Sequence, residues 1–452
     1  MLSSVPLEVQ KKTFSVLILG YVWPEPTSSA AGLRTLGLVR AFLKNGWRVH
    51  FASHAKENQH RKDLESLGVV TQSVQVNDSR FDVWIAELSP DFVIFDRFVM
   101  EEQFGWRVTE NSPQSVKVLD TQDLHFLRRQ RSRAKVVGEE QQIQNKTAGD
   151  IFRELGSIYR CDLTLVLSSY EYQLLTGQYS IPQSLLKILR FSYSEPPHAP
   201  AFEALKLEER KDFVFIGNFR HAPNVDAVRW LYQEIWPEIH ARLPGAQVHV
   251  YGAYPPKEMM DLQNSEMGFS VKGWTPDQYE TLARYRVNLA PLRFGAGIKG
   301  KITDGWWCGT PVVTTSIGAE GMVDGESEVI KFGGLIAENA HEFANSACEL
   351  YGVKTLWLTA QKNGYEILDR FYHEAKNTET LLSALCACKA ELKELRAKNV
   401  IGSMLQHHLH QSTKYMSKWI ELKNSAKLSS CIPKPMEFLT EESNQNPTKI
   451  TT

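Results

Sequence analysis

Short apolar runs recur along this chain at intervals that leave room for about one helix between them. That alternation confines the fold to βα units wound onto parallel sheets. In the first half the runs fall at residues 14–19, 48–52, 92–95, 116–119 and 163–167; the series restarts at 213–217, 247–251, 269–272, 287–290, 311–314 and 328–331. Between the two series, residues 192–207 carry Pro196, Pro197 and Pro200 in a polar-to-mixed stretch that reads as a linker. The expected fold is α/β, with two Rossmann-like doubly wound domains, residues 1–195 and 208–370, facing across a cleft. A helical extension is expected over 371–423 and a disordered polar tail over 424–452. In such sheets ligands bind outside the carboxyl ends of the strands, so two facing domains place a site between those ends.

Composition narrows the function classes. A formal net charge of -1 on 452 residues gives no global attraction to nucleic acid or acidic membrane, so any such contact has to come from a local patch. The six cysteines (Cys161, Cys308, Cys348, Cys386, Cys388, Cys431) are too scattered for a disulfide framework, which favours a reducing compartment. The apolar stretch at 14–22 is too short to span a bilayer, and a cytoplasmic location is expected.

Residues 291–322, PLRFGAGIKGKITDGWWCGTPVVTTSIGAEGM, carry the densest chemistry. After the buried strand at 287–290, Gly295, Ala296 and Gly297 expose backbone N–H groups to close approach by a ligand. A helix is expected over 298–308, capped by Gly309, with Lys299 and Lys301 adding charge to its positive N-terminus. Phosphate suits that arrangement. Lys301 is favoured over Lys299 because Lys301 and Asp304, three residues apart, share a helix face. Glu320, on the later strand-end loop, is a candidate for sugar or ribose hydroxyls.

The first turn of the amino-terminal domain leads into a helix that Ser28 or Ser29 can cap. Gly32 would allow close approach there, and Arg34 would offer a charge-assisted bond to phosphate or acceptor. Gly217 ends the first strand of the second domain, and Arg220 beyond it is placed to neutralise a leaving diphosphate. The run 128–135 holds five positive charges; lipid headgroups or an anionic acceptor fit it, but a solvated helix is the better reading, because Glu139 and Glu140 follow immediately and no apolar insertion stripe accompanies it. The cluster His407-His408-Leu409-His410 lacks acidic or cysteine neighbours, and no Asp-x-Asp element ends a strand, so no metal site is expected.

These blocks together resemble the large group-1, family-4 class of nucleotide-sugar glycosyltransferases with the two-Rossmann GT-B fold. The resemblance runs over roughly residues 15–370, through 24–34, 120–125, 154–162, 215–219, 271–274 and above all 291–322. It implies a retaining, metal-independent enzyme with no cofactor that moves a sugar from a nucleotide diphosphate-sugar to a glycan, lipid-linked or small-molecule acceptor. Peripheral membrane contact is compatible with it; nucleic acid is not an implied partner. By position, Asp304 stands where the family's ribose-binding glutamate is usual, and Ala296 where an acid that contacts the transferred sugar is usual. Gly273 and Trp274 match a loop that reads the base through its backbone. Near the anomeric centre the family often has a histidine; Gln122 stands there, and Asp120, Asp123 and His125 form the candidate acceptor-side cluster, with helix capping as their alternative role. Two other readings share the fold: a sugar-nucleotide binding protein without turnover, and a sugar-nucleotide epimerase.

Overall fold

The structure is a computed structural model that describes residues 13–57, 60–137, 140–193, 206–323 and 331–430. It contains two parallel sheets. The first takes β1 (Ser15–Gly20), β2 (Arg48–Ser53), β3 (Val70–Ser73), β4 (Phe92–Asp96), β5 (Val116–Asp120), β6 (Leu163–Val166) and β7 (Leu186–Ile188) in the order β3-β2-β1-β4-β5-β6-β7. The second takes β8 (Lys211–Ile216), β9 (Val248–Tyr251), β10 (Phe269–Gly273), β11 (Tyr285–Ala290), β12 (Val312–Thr314) and β13 (Gly334–Ile336) in the order β10-β9-β8-β11-β12-β13.

The strands form where the chain is apolar at successive positions because helices cover both faces of each sheet. In β1 and β4, Val16, Ile18, Phe92 and Ile94 enter one core while Leu17, Leu19, Val93 and Phe95 enter the opposite one. The strand order reverses direction between β1 and β4 and again between β8 and β11. Those two switch points are where the crossover connections diverge and leave a crevice at the carboxyl ends.

Two expectations about the ends of elements change. The strand expected at 328–331 falls largely on 324–330, outside the described residues; the last strand is β13, parallel to β12. The tail expected to be disordered from 424 is helical as far as Ser430, and 431–452 lie outside the described residues.

After the helix Lys354–Phe371 the chain returns to the first domain. Leu381, Leu385 and Cys388 of the helix Glu374–Ala390 join the core that contains Val16 and Val118. The return is pinned by Tyr193, whose N–H donates to the Tyr372 carbonyl at 2.8 Å and whose carbonyl accepts from Glu374 N–H at 2.8 Å. The terminal helix Val400–Ser430 lies against the first-domain helices Phe98–Asn111 and Glu140–Arg160.

Candidate functional site

A cavity of about 590 Å³ lies between the carboxyl ends of the two sheets, lined by the turns that follow β1, β4, β5, β8 and β11. On the second-domain wall the β11 turn carries Gly295 (φ 157) and Gly297 (φ 65), and Gly309 (φ 68) ends the following helix as expected. That helix spans Gly300–Trp307, two residues later than the sequence suggested, because Lys299 stays extended (φ -91, ψ 90) at its cap. The buried Asn288 of β11 donates to the Lys301 carbonyl at 2.9 Å and fixes the first turn to the sheet.

Lys301 projects into the cavity wall. Its ammonium donates to Asn224 Oδ1 and lies 4.5 Å from the Phe215 ring centre; among the described residues no carboxylate pairs with it. Burial lowers its pKa to about 7. Gly217 makes this placement possible, since a Cβ there would sit 2.7 Å from the Asn224 side chain and 2.9 Å from Lys301 Nζ. Lys299 turns back to donate to the Gly297 carbonyl at 2.7 Å; burial brings its pKa down to about 8 against the attraction of Glu320 and Glu171. Asp304, one turn beyond Lys301, accepts from the Tyr193 hydroxyl at 2.6 Å and from Gln278 Nε2 at 3.3 Å, and burial pushes its carboxyl up to about 7.

Arg220 reaches the cavity with its guanidinium 3.5 Å over the Tyr254 ring. Trp274 is 40% exposed, lies against His60 with ring centres 4.6 Å apart and tilted by 32°, and donates to the Thr27 carbonyl at 3.3 Å, so it spans both domains. Gly273 (φ 74) stays off the cavity wall, its carbonyl accepting from Gly252 N–H at 2.8 Å.

On the first-domain wall Ser29 is the cap, its hydroxyl accepting from Gly32 N–H at 3.1 Å. Gly32 serves packing instead of ligand approach: a Cβ there would lie 2.5 Å from the Glu25 backbone. The role expected for Arg34 is also corrected. Its buried guanidinium grips both oxygens of Asp120 at 2.6 to 2.9 Å and donates to the Leu189 carbonyl at 2.7 Å, leaving it nothing to offer phosphate. Asp120 is thereby removed from the acceptor cluster, since its charge is spent on Arg34.

Asp123 and His125 do line the cavity. Burial would raise the Asp123 carboxyl, but Arg128, His125 and His221 outweigh it and hold the pKa at about 2. His125 Nε2 lies 3.3 Å from Asp123 Oδ1, and burial lowers the imidazole to about 3 despite that neighbour. At neutral pH the pair is therefore a carboxylate beside a neutral imidazole. Backbone strain marks the same rim: Arg97 (φ 73) and Gln122 (φ 62) end β4 and β5 in left-handed geometry, and both line the cavity.

The basic run is engaged in ion pairs yet stays partly solvated: the Arg129 and Arg133 side chains are 40% and 39% exposed, and Arg128 and Arg129 line the cavity. Its helix, His125–Val137, sends Arg128 to Asp123, Arg129 to Asp150, Arg131 to Glu320 and Lys135 to Asp226. Glu320 is corrected with it: both its oxygens are held by Arg131 at 2.7 and 2.8 Å, off the cavity wall, while Arg131 also donates to the Gly295 carbonyl at 2.8 Å.

The residue most clearly missed by the sequence reading is Glu171. Its buried carboxylate accepts from Leu124 N–H at 2.9 Å and Gly297 N–H at 3.0 Å, binding the glycine loop to the first domain. The Gly297 amide is thus occupied, contrary to the expectation of a bare donor. Nothing local in the sequence distinguishes this glutamate, whose partners are distant in the chain. Asn224 and Tyr193 were missed for the same reason. Among the described residues no group of three or more histidine, cysteine or acidic side chains could hold a metal ion; the side chains at 408–410 lie outside the described residues.

Residues 210–352 match the family model of glycosyl transferases group 1. No curated protein has a matching sequence. Solved structures share the fold. HepE of Anabaena, in complex with UDP and glucose, is 12% identical over 82% of this chain and 99% of that one, with a TM-score of 0.59. Sucrose-phosphate synthase from Thermosynechococcus elongatus is 14% identical over 83% and 99%, with a TM-score of 0.63. A glycosyltransferase from Rickettsia africae is 11% identical over 83% and 99%, with a TM-score of 0.60. The architecture is the GT-B arrangement expected from the sequence, with the family match confined to the second sheet and its helices.

Proposed function

We propose that this chain moves a glycosyl group from a nucleoside diphosphate sugar to a hydroxyl acceptor, with retention at the anomeric carbon and without a metal ion. The observation that carries the reading is Lys301, a half-buried cation with an amide oxygen and an aromatic face around it and no carboxylate among the described residues, at the first turn of a helix that opens on the cavity. A diphosphate entering there supplies the missing counter-charge. Asp304 on the same face would take ribose hydroxyls, the role its position has in the resembling family. Arg220 approaches from the β8 turn to share the diphosphate charge.

In the reaction the bond from the anomeric carbon to the diphosphate oxygen breaks, the acceptor oxygen bonds that carbon from the same face, and the acceptor proton passes to the departing phosphate oxygen. Lys301, Arg220 and the helix N-terminus stabilise the charge that grows on the diphosphate, which is the term a divalent ion would otherwise supply. Asp123, ionised beside a neutral His125, orients the acceptor hydroxyl. The acceptor is a glycan, lipid-linked or small-molecule hydroxyl. The cytoplasm is the compartment we infer, in keeping with free thiols at Cys161, Cys308, Cys348, Cys386 and Cys388.

Titration calorimetry with UDP and its sugars tests the donor site. Lys301→Ala should weaken binding about thirty-fold, corresponding to ~2 kcal/mol; unchanged affinity overturns the assignment. Ala296 and Gln122 stand where the family has an acid and a histidine, which favours a second reading, binding without turnover. NMR on a panel of UDP-, GDP- and ADP-sugars decides between them and reads the anomeric configuration. Activity that survives EDTA is the expected result for the metal.

A further inference from the structure

The terminal helix Val400–Ser430 packs with the wrong face inward for an ordinary surface helix. Its contacts with the first domain are made by small and polar residues: Gly402, where a Cβ would lie 2.2 Å from the Tyr159 carbonyl; Ser417, whose hydroxyl accepts from Arg107 at 2.9 Å; Lys414, paired with Glu110 at 2.5 Å; and Glu421, which accepts from Ser79 N–H at 3.0 Å. Ile401, Met404, Tyr415, Met416, Trp419 and Leu422 point outward, each between 50% and 70% exposed. At 3.6 residues per turn these six fall within an arc of roughly 120°. Lys418 borders one edge of that arc. Lys423 lies at the other, its ammonium 5.0 Å over the Trp419 ring. Glu421, the helix's sole acid, is turned to the opposite side.

We propose that this helix seats the protein on an anionic lipid bilayer, lying in the interfacial plane with its apolar arc among the acyl chains and Lys418 and Lys423 among the headgroups. Charge complementarity selects this occupant. The face carries six large apolar side chains between basic edges, with no acid, and tryptophan and tyrosine among them are the side chains suited to the headgroup boundary. A second copy fits less well. The two alternating three- and four-residue seams through Ile401 both pass His408 and then Gln411 or Ser412, polar positions at mid-helix that interrupt the continuous apolar line that a coiled coil needs. No helix among the described residues is long and apolar enough to cross a membrane. The run 128–135, the lipid candidate in the sequence, is instead committed to ion pairs at Arg128, Arg129, Arg131 and Lys135.

Vesicle flotation of the full chain tests the proposal. The protein should partition onto vesicles of phosphatidylcholine containing phosphatidylglycerol roughly ten-fold more strongly than onto phosphatidylcholine alone, and added salt should reduce the difference. Trp419→Glu with Leu422→Glu should abolish partitioning, and Lys418→Glu with Lys423→Glu should remove the preference for anionic vesicles. Circular dichroism and thermal melting should be unchanged, because all four side chains are exposed. Absence of vesicle binding, or binding that survives both double substitutions, overturns it. So does self-association in analytical ultracentrifugation that the tryptophan-leucine pair abolishes while vesicles bind nothing, which would assign the face to a second copy.

Discussion

An ammonium partly withdrawn from water without a carboxylate lowers the stability of the fold that holds it, and Lys301, half-buried in the cavity wall, is such a group. Its pKa lies below the ordinary lysine value, so the folded chain binds fewer protons than the unfolded chain between about 7 and 10.5, and Lys301 makes stability rise with pH across that window. Lys301→Met should therefore raise the thermal midpoint of the ligand-free protein at neutral pH, by an amount equivalent to about 1–2 kcal/mol, while nucleoside diphosphate binding weakens about thirty-fold. An equal or lower midpoint contradicts the cost assigned to this charge. Binding has the opposite sign: a bound diphosphate holds Lys301 protonated, so complex formation takes up a proton above pH 7 and affinity should fall by up to about ten-fold per pH unit there. Asp304, Glu171 and Lys299 titrate in the same region, so the Lys301 share is the slope that disappears in Lys301→Met. Calorimetry over pH 6 to about 9 reads it. At this scale the sequence revealed Lys301 and Asp304 because helix periodicity puts them on one face. It misassigned Arg34 because a cation at a helix start looks free until Asp120, 86 positions away, is brought beside it.

Single elements show the same division between what is local and what is not. The strands could be read because burial on both faces leaves a continuous apolar run, and β1, β4 and β5 are buried throughout. The helix over 128–135 could be read as a helix but not for its purpose. The sequence shows Glu139 and Glu140 beside it, whereas only Asp123 among its partners is local, and Asp150, Asp226 and Glu320 come from three other places. The glycine loop is the element most sensitive to substitution. Gly297 has φ 65, and a Cβ there would stand 2.8 Å from Asp123 Cβ and 3.1 Å from the Gln122 carbonyl. Gly297→Ala should cost about 1–3 kcal/mol of stability and reduce turnover more than UDP affinity, since it pushes the loop away from Asp123 without touching Lys301. Denaturant melts and steady-state kinetics check the two halves. A substitution that is neutral in both would show that the loop gives way freely.

At the scale of the molecule the two domains are drawn together by contacts that cross the cavity rim: Arg131 to Glu320, Lys135 to Asp226, Glu171 to Gly297, Tyr254 to Glu25 and Asn218 to the Ser28 carbonyl. Most are polar and peripheral, the kind of interface that permits relative motion of domains. Arg131→Ala combined with Lys135→Ala should enlarge the radius of gyration of the ligand-free protein in X-ray scattering while leaving its helical content intact. An unchanged scattering profile would mean that Glu171 and the remaining contacts suffice to keep the domains closed.

One consequence follows from Tyr193. It joins the first domain to the returning segment at 372–374 through two backbone bonds, so the crossing there is a paired strut instead of a single thread. The phenol of the same residue holds Asp304 at 2.6 Å. In the proposed donor site a ribose hydroxyl approaching that carboxylate oxygen competes with the phenol, which would couple donor arrival to the very residue that stitches the crossing between the domains.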